Sequence, residues 1–209
     1  MELTFYDYWR SSSAYRVRIV LNLKGVDFRG VEIDLAAGEQ DGEAYRAINP
    51  LGLVPTLVAD GEAISQSLAI IDFLDSQFPE PRMIPLDPLE RARTLAQAMT
   101  IIADIQPIAN LRVQRYLRRE LEADEGAVQR WIGHWITGGF DALEQQAPDE
   151  GFFGGDAPNL VDAMLVPQMY NARRFSVPLE AWPRLVRIDK AARRIDAIAQ
   201  AAPEAVRAT

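Results

Sequence analysis

Cysteine is absent from all 209 residues, so the chain has no disulfide framework, no thiolate metal site and no protein thiol nucleophile. Any sulfur chemistry has to come from a bound molecule. Histidine occurs once, at His134, which excludes a histidine-rich metal site and leaves a Ser/His/Asp triad a single candidate base. That residue lies in an aromatic helical stretch with Trp131 and Trp135, where packing or surface exposure accounts for it, and no metal is expected. No apolar run reaches the roughly 18 residues of a membrane span, and the N-terminus reads as a strand rather than a signal peptide. The expected location is therefore the cytoplasm, with no membrane partner. Positive charge is also in deficit: 22 Lys and Arg stand against 30 Asp and Glu, a net charge of −8. Such a surface repels phosphate, so nucleic acid is not an expected partner.

What remains is an ordinary globular composition, 48% hydrophobic and 25% charged, in a chain long enough for one large domain or two small ones. There is no internal repeat and no low-complexity segment. The proline-rich stretch Pro79-Glu80-Pro81-Arg82-Met83-Ile84-Pro85 marks a domain boundary, which separates residues 1–80 from 88–209.

Leu3, Phe5 and Tyr6 to Tyr8 alternate as a strand, and Ala14, Val17, Val20, Leu21 and Lys24 follow helical spacing up to a stop at Gly25. A second strand over 26–33 completes a βαβ unit, with a right-handed crossover to a parallel partner expected. A short helix is expected over Ala44 to Ile48, then a turn at Asn49-Pro50-Leu51-Gly52 and a strand entered through Pro55. Proline is tolerated at a strand's first residue, and a cis bond after Val54 is equally compatible with the sequence. Asp60-Gly61 signals a hairpin to an antiparallel fourth strand, followed by a helix burying Leu68, Ile70, Ile71 and Leu74. Beyond the linker everything reads as helix. Asp87, Pro88 and Glu90 open a long helix running to about Arg119 with a bend near Pro107, and Asp124 opens one with Val128, Trp131, Ile132, Trp135, Ile136, Phe140 and Leu143 on one face. Asn159 to Asp162 cap another, and Pro183 opens a last one through Arg194.

The chemistry is placed at Trp9-Arg10-Ser11-Ser12-Ser13-Ala14-Tyr15-Arg16, where a strand hands over to a helix. Unpaired N–H groups and the positive end of the dipole make that junction a site for an anion. A serine there can equally be no more than the helix N-cap, and the triplet leaves both readings open. Ser65-Gln66-Ser67 repeats the pattern at the start of a second helix, and one extended ligand could bridge the two.

Tyr8 to Ser13, Arg16-Val17-Arg18-Ile19, Asn49-Pro50, Val54-Pro55, Gln66 to Ile71, Val166-Pro167-Gln168 and Asn171-Ala172-Arg173-Arg174-Phe175 together resemble the zeta-class glutathione transferases, a class that includes maleylacetoacetate and maleylpyruvate isomerases. The resemblance spans nearly the whole chain. It implies an α/β thioredoxin-like N-terminal domain that binds glutathione, followed by an all-α C-terminal helical domain forming the acceptor-substrate pocket, the glutathione transferase fold, usually as a homodimer. It further implies that Gln66 and Ser67 meet the γ-glutamyl end of glutathione, that Val54 before a cis Pro55 pairs with its cysteinyl backbone, and that Gln40 lies near its glycyl end. Ser11 would sit by the sulfur as the catalytic residue, with Ser12 as its alternate and Ser13 beside them. Gln106 and Asn110 would line the site from the helical domain. The family commonly has cysteine where this chain has Ser13, so only serine-assisted chemistry is expected.

The activity implied is glutathione-dependent cis–trans isomerisation of a maleyl-type diketo diacid in the breakdown of aromatic amino acids or other aromatic compounds. A general glutathione transferase or dehalogenase, and a non-catalytic glutathione-binding protein, are the alternatives. Arg10, Arg112 and Arg174 are the candidates for binding the substrate's two carboxylates, because guanidinium forks recognise such groups bidentately; each could also be solvated surface charge.

Overall fold

The computed structural model describes residues 1–207, and the chain divides into two compact units: Met1–Met83 together with the chain from Arg194 on, and Ile84–Arg193. In the first unit, β1 (Leu3–Asp7) buries Leu3, Phe5 and Asp7 and leaves the alternate residues half-buried, the period-two pattern of a strand. It leads into α1 (Ser12–Leu23), which closes at Lys24 and Gly25, the latter at φ +61. Only glycine adopts that left-handed stop without cost. β2 (Arg29–Glu32) is shorter than the stretch 26–33 suggests and pairs parallel with β1, Tyr6 opposite Val31. A 3₁₀ turn (Glu39–Asp41) and the one-turn α2 (Glu43–Arg46) cover the crossover to β3 (Thr56–Ala59).

β3 turns back through Asp60 (φ 47) and Gly61 (φ 91), both left-handed as a two-residue hairpin demands, into β4 (Glu62–Ser65). The sheet order is β2-β1-β3-β4, with β3 antiparallel to both neighbours. β1 and β4 therefore run in the same direction. Tyr6, Thr56 and Ser65 form one row across the sheet, so the segments after β1 and β4 and the segment before β3 emerge at a single end. α3 (Ser67–Gln77) follows β4, buries Ile70, Ile71 and Leu74, and packs against α1; Leu68, expected in the core, is only half-buried.

Every residue of α1 from Ala14 to Leu21 is buried, because the short helix α9 (Asp196–Gln200) packs against it as well as α3. Arg18 Nε donates to the Ala201 carbonyl and Asn22 Nδ2 to the Ala197 carbonyl, which holds the C-terminal segment, including α10 (Pro203–Arg207), on this unit. The expected helical domain of 88–209 is thus cut short at Arg193: its last two short helices complete the core of the sheet domain.

The second unit is helical. α4 (Pro88–Met99) begins at Asp87, whose carboxylate accepts from Leu89 and Glu90 N–H. The single long helix expected to run to Arg119 is interrupted. A π-helical stretch (Thr100–Ile105), with Gln106 N–H reaching the Ile101 carbonyl, is followed by a turn, and α5 (Leu111–Glu120) restarts under the Asn110 cap. Pro107 has no N–H to continue the ladder, and Trp131 Nε1 takes the Ile108 carbonyl that the break exposes. Trp131 therefore sits at the surface rather than in the core of α6 (Glu125–Gln146), while Val128, Ile132, Ile136, Phe140 and Leu143 are buried as their spacing requires. α7 (Leu160–Arg174) carries a complete capping box between Asn159 and Asp162. α8 (Pro183–Ala192) ends two residues short of Arg194. Among the described residues no helix is long and apolar enough to cross a membrane.

Candidate functional site

Ser11 is the N-cap of α1: its backbone is extended, and its Oγ accepts from Ala14 N–H at 3.3 Å. The capping role is thus real, but it uses only one lone pair of the hydroxyl, which keeps its proton to donate elsewhere. Ser12 and Ser13 occupy the first turn, and all three serines are half-buried. The turn that presents them is fixed from behind. Ser11 N–H bonds the Tyr8 carbonyl at 2.9 Å, and the Trp9 carbonyl accepts from Arg18 Nη2 at 2.9 Å. Arg10 is exposed and lies over the Trp9 ring at 5.1 Å, and Arg207 lies over the same ring at 4.7 Å.

The Val54–Pro55 peptide is cis, which resolves the choice the sequence leaves open. This segment is held by Asn49, which is buried and donates through Nδ2 to the Leu53 carbonyl and Thr56 Oγ1, and by the Tyr45 hydroxyl, which donates to the Leu53 carbonyl. Gly52, at φ +62, comes so near Gln40 that a Cβ would lie 2.9 Å from the Gln40 carbonyl. Gln40 itself is buried; its Nε2 donates to Asp41, and its Oε1 has no partner among the described residues.

At the head of α3, Gln66 holds φ +72 with ψ 120, a conformation that costs a non-glycine residue on the order of 1–3 kcal/mol and is retained chiefly at working sites. No side chain caps this helix. Ser67 is buried, and its Oγ accepts from Arg16 Nη1 at 3.1 Å. Arg16 closes the stretch in which the sequence places the chemistry, but sequence reasoning gave it no role of its own. Apart from the family resemblance it was legible only as an arginine among Val17, Ile19, Val20 and Leu21.

In the second unit, Asn110 Oδ1 caps α5 by accepting from Arg112 N–H at 3.2 Å, and Gln106 is half-buried at the end of the π-helical stretch. Arg112 is exposed on the first turn of α5, and Arg174 is exposed at the end of α7 with its guanidinium 4.9 Å from the centre of the Phe175 ring. His134 is exposed, edge-on to Trp135. Among the described residues no cluster of His, Cys, Asp or Glu could hold a metal ion. A cavity of about 530 Å³ in the first unit lies against Phe5, Trp9, Arg18, Val206 and Arg207; Ser11, Gln66 and Ser67 do not line it.

A four-stranded mixed sheet with a cis-proline entering β3, and two helix starts beside it, followed by a helical unit, defines the glutathione transferase class. Residues 10–77 match the family model described as glutathione S-transferase, N-terminal domain. The maleylacetoacetate isomerase of Pseudomonas aeruginosa is 45% identical over 96% of each chain. A holo maleylpyruvate isomerase, a bacterial zeta-class glutathione S-transferase, superposes with a TM-score of 0.94 at 42% identity over 97% of each chain. A maleylacetoacetate isomerase from Methylobacterium extorquens, solved with malonate and glutathione bound, superposes with a TM-score of 0.92 at 33% identity over 97% of each chain. The chain belongs to the zeta-class glutathione transferase and maleylacetoacetate isomerase family.

Proposed function

We propose that the protein is a glutathione-dependent cis–trans isomerase of maleyl-type diketo diacids, with maleylacetoacetate as substrate and maleylpyruvate as its close alternative. The observation that carries this reading is the convergence, at one end of the sheet, of the Ser11-capped start of α1, the cis Val54–Pro55 segment and the uncapped, strained start of α3. That array offers what a γ-glutamyl tripeptide needs. Orphan N–H groups and the Ser67 hydroxyl can donate to a carboxylate at one end, the Val54 backbone ahead of the cis Pro55 lies in the middle, and the unpartnered Gln40 Oε1 suits an N–H donor at the other.

When bound, glutathione supplies a thiolate that adds reversibly to the cis double bond, allowing rotation about the resulting single bond before elimination restores the trans alkene. The protein's part is to hold and tune. Ser11 donates its hydroxyl proton toward the sulfur position, and the α1 dipole favours the anion there. Ser12 and Ser13 shape the same turn. Gln66, Ser67, Val54, Pro55 and Gln40 fix the tripeptide, with Gln106 and Asn110 as further contributors from the helical unit. Arg10, Arg112 and Arg174 bind the substrate's carboxylates. The reading carries with it a homodimer acting in the cytoplasm in tyrosine and phenylalanine degradation or related aromatic catabolism.

The test is an assay of purified protein with maleylacetoacetate, maleylpyruvate and an uncharged electrophile, each with and without glutathione. Rapid isomerisation of a maleyl diacid that requires glutathione and leaves it unconsumed is expected. Turnover of the uncharged electrophile alone would assign the protein to general conjugation, and glutathione binding with no turnover to a binding role.

A further inference from the structure

Arg16 is 2% exposed, and its one hydrogen bond among the described residues runs from Nη1 to Ser67 Oγ. Nε and Nη2 are buried and donate to nothing among the described residues. Burial lowers its pKa to about 9, and no carboxylate opposes that effect. Asp75, the buried acid of α3, is engaged elsewhere: it takes Lys24 Nζ and Met83 N–H, both at 2.8 Å. A buried cation without a counter-charge is a burden on a fold, and an apolar side chain of the same length would fill the space at lower cost. Its retention calls for an explanation in what lies next to it.

What lies next to it is Ser67, the first residue of α3. A hydroxyl that accepts from a cation through its lone pair is left with its own proton to donate. The N–H groups of the first turn beside it have no side-chain acceptor, since Gln66 does not cap the helix. Helix dipole, hydroxyl proton and buried guanidinium thus place positive potential at one point. We propose that Arg16 is a positioning residue: from beneath Ser67 it supplies the charge against which the head of α3 selects a carboxylate, that of the γ-glutamyl end of glutathione. This rests on the glutathione-dependent reading above. Arg16 is sealed from solvent and acts through Ser67 and through space, not by touching the ligand, and in the low dielectric of the interior such a charge is weakly screened.

The experiment is calorimetric binding of two ligands, glutathione and its analogue with the γ-glutamyl α-carboxylate converted to an amide, to wild type, Arg16→Met and Arg16→Lys, with melting temperatures of each protein alone. Arg16→Met is expected to weaken glutathione about ten- to hundredfold, the size of a lost charge-assisted interaction, while changing the amide's affinity less than about twofold. Its melting temperature without ligand is expected to equal or exceed that of wild type, because the unpaired cation is gone. Arg16→Lys keeps the charge and is expected to keep the preference for carboxylate over amide. Equal losses for both ligands in Arg16→Met, a lower melting temperature without ligand, or a preference lost as fully in Arg16→Lys as in Arg16→Met would each overturn the proposal. A wild type that binds neither ligand would instead overturn the glutathione reading beneath it.

Discussion

Arg18 Nη1 donates to both carboxylate oxygens of Asp7, at 2.6 and 2.8 Å, while Nη2 of the same guanidinium holds the Trp9 carbonyl two residues before Ser11. The end of β1 and the turn carrying the proposed catalytic serine are thus tied to one buried cation. Burial raises the Asp7 pKa, and the Arg18 charge opposes the rise. Arg18→Met should leave a buried carboxylate unpaired and destabilise the protein by about 3–5 kcal/mol in urea denaturation, whereas Asp7→Asn combined with Arg18→Met should recover much of that loss. A single variant as stable as wild type would show that the pair contributes nothing net.

Asp162 gives stability an uncommon pH dependence. It is fully buried at the start of α7 and accepts backbone N–H bonds from Phe153, Gly154 and Asn159. Burial outweighs those bonds and raises its pKa from the ordinary aspartate value of 3.8 to about 6. The folded state therefore binds the proton more tightly than the unfolded chain. The stability this contributes is present in full below the unfolded carboxylate pKa and is lost as pH rises through about 6. Relative to Asp162→Asn, wild type should lose roughly 2 kcal/mol between pH 4 and pH 7. Urea denaturation of both proteins across that range checks it; a gap that widens in favour of wild type with rising pH would mean that the three N–H donors outweigh burial.

Arg112 and Arg174 are exposed residues in a protein of net charge −8, and the isomerase reading assigns them to a dianionic substrate. Arg112→Ala and Arg174→Ala should each lower kcat/KM for a maleyl diacid by about tenfold or more and leave conjugation of an uncharged electrophile largely intact, with lysine a poor replacement for the bidentate fork. The ratio of the two specificity constants is the quantity to compare across variants. An unchanged ratio in both would favour general transferase chemistry.

Ser67 and Gln66 should hold glutathione in place without taking part in the chemistry. Ser67→Ala removes an acceptor for Arg16 Nη1 and a donor at the head of α3, so the KM for glutathione should rise more than kcat falls. The opposite pattern in steady-state kinetics would place Ser67 in the chemistry.

Signals confined to a few neighbouring residues carried the legible part of the fold. Asp60-Gly61 declared its hairpin, Asp87, Asp124 and Asn159 their helix starts, and Gly25 its stop, because each acts through bonds to residues within four positions. The break between the π-helical stretch and α5 was not legible: Pro107 announced only a bend, and the partner that stabilises a full interruption, Trp131, lies 23 residues from the carbonyl it takes. The return of α9 and α10 to the first unit depends on bonds spanning 175 and 183 residues, which no local pattern encodes. The serine turn and Gln66-Ser67 were visible as helix starts and through family resemblance. Arg16 lay within the stretch given the chemistry but without a role, since an arginine in a helical stretch reads as surface until the helix is found buried on every side.

The most direct test of the central claim is the turnover number for maleylacetoacetate at saturating glutathione in Ser11→Ala beside wild type, with glutathione affinity measured on the same samples. Losing a hydrogen bond to a charged sulfur costs about 1.5–3 kcal/mol, so kcat should fall about ten- to a hundredfold while the glutathione dissociation constant stays within a few-fold; loss of the cap should lower stability by only about 1 kcal/mol. A Ser11→Ala protein that turns over at the wild-type rate would contradict the assignment of Ser11 and move the role to Ser12 or to the N–H groups of α1.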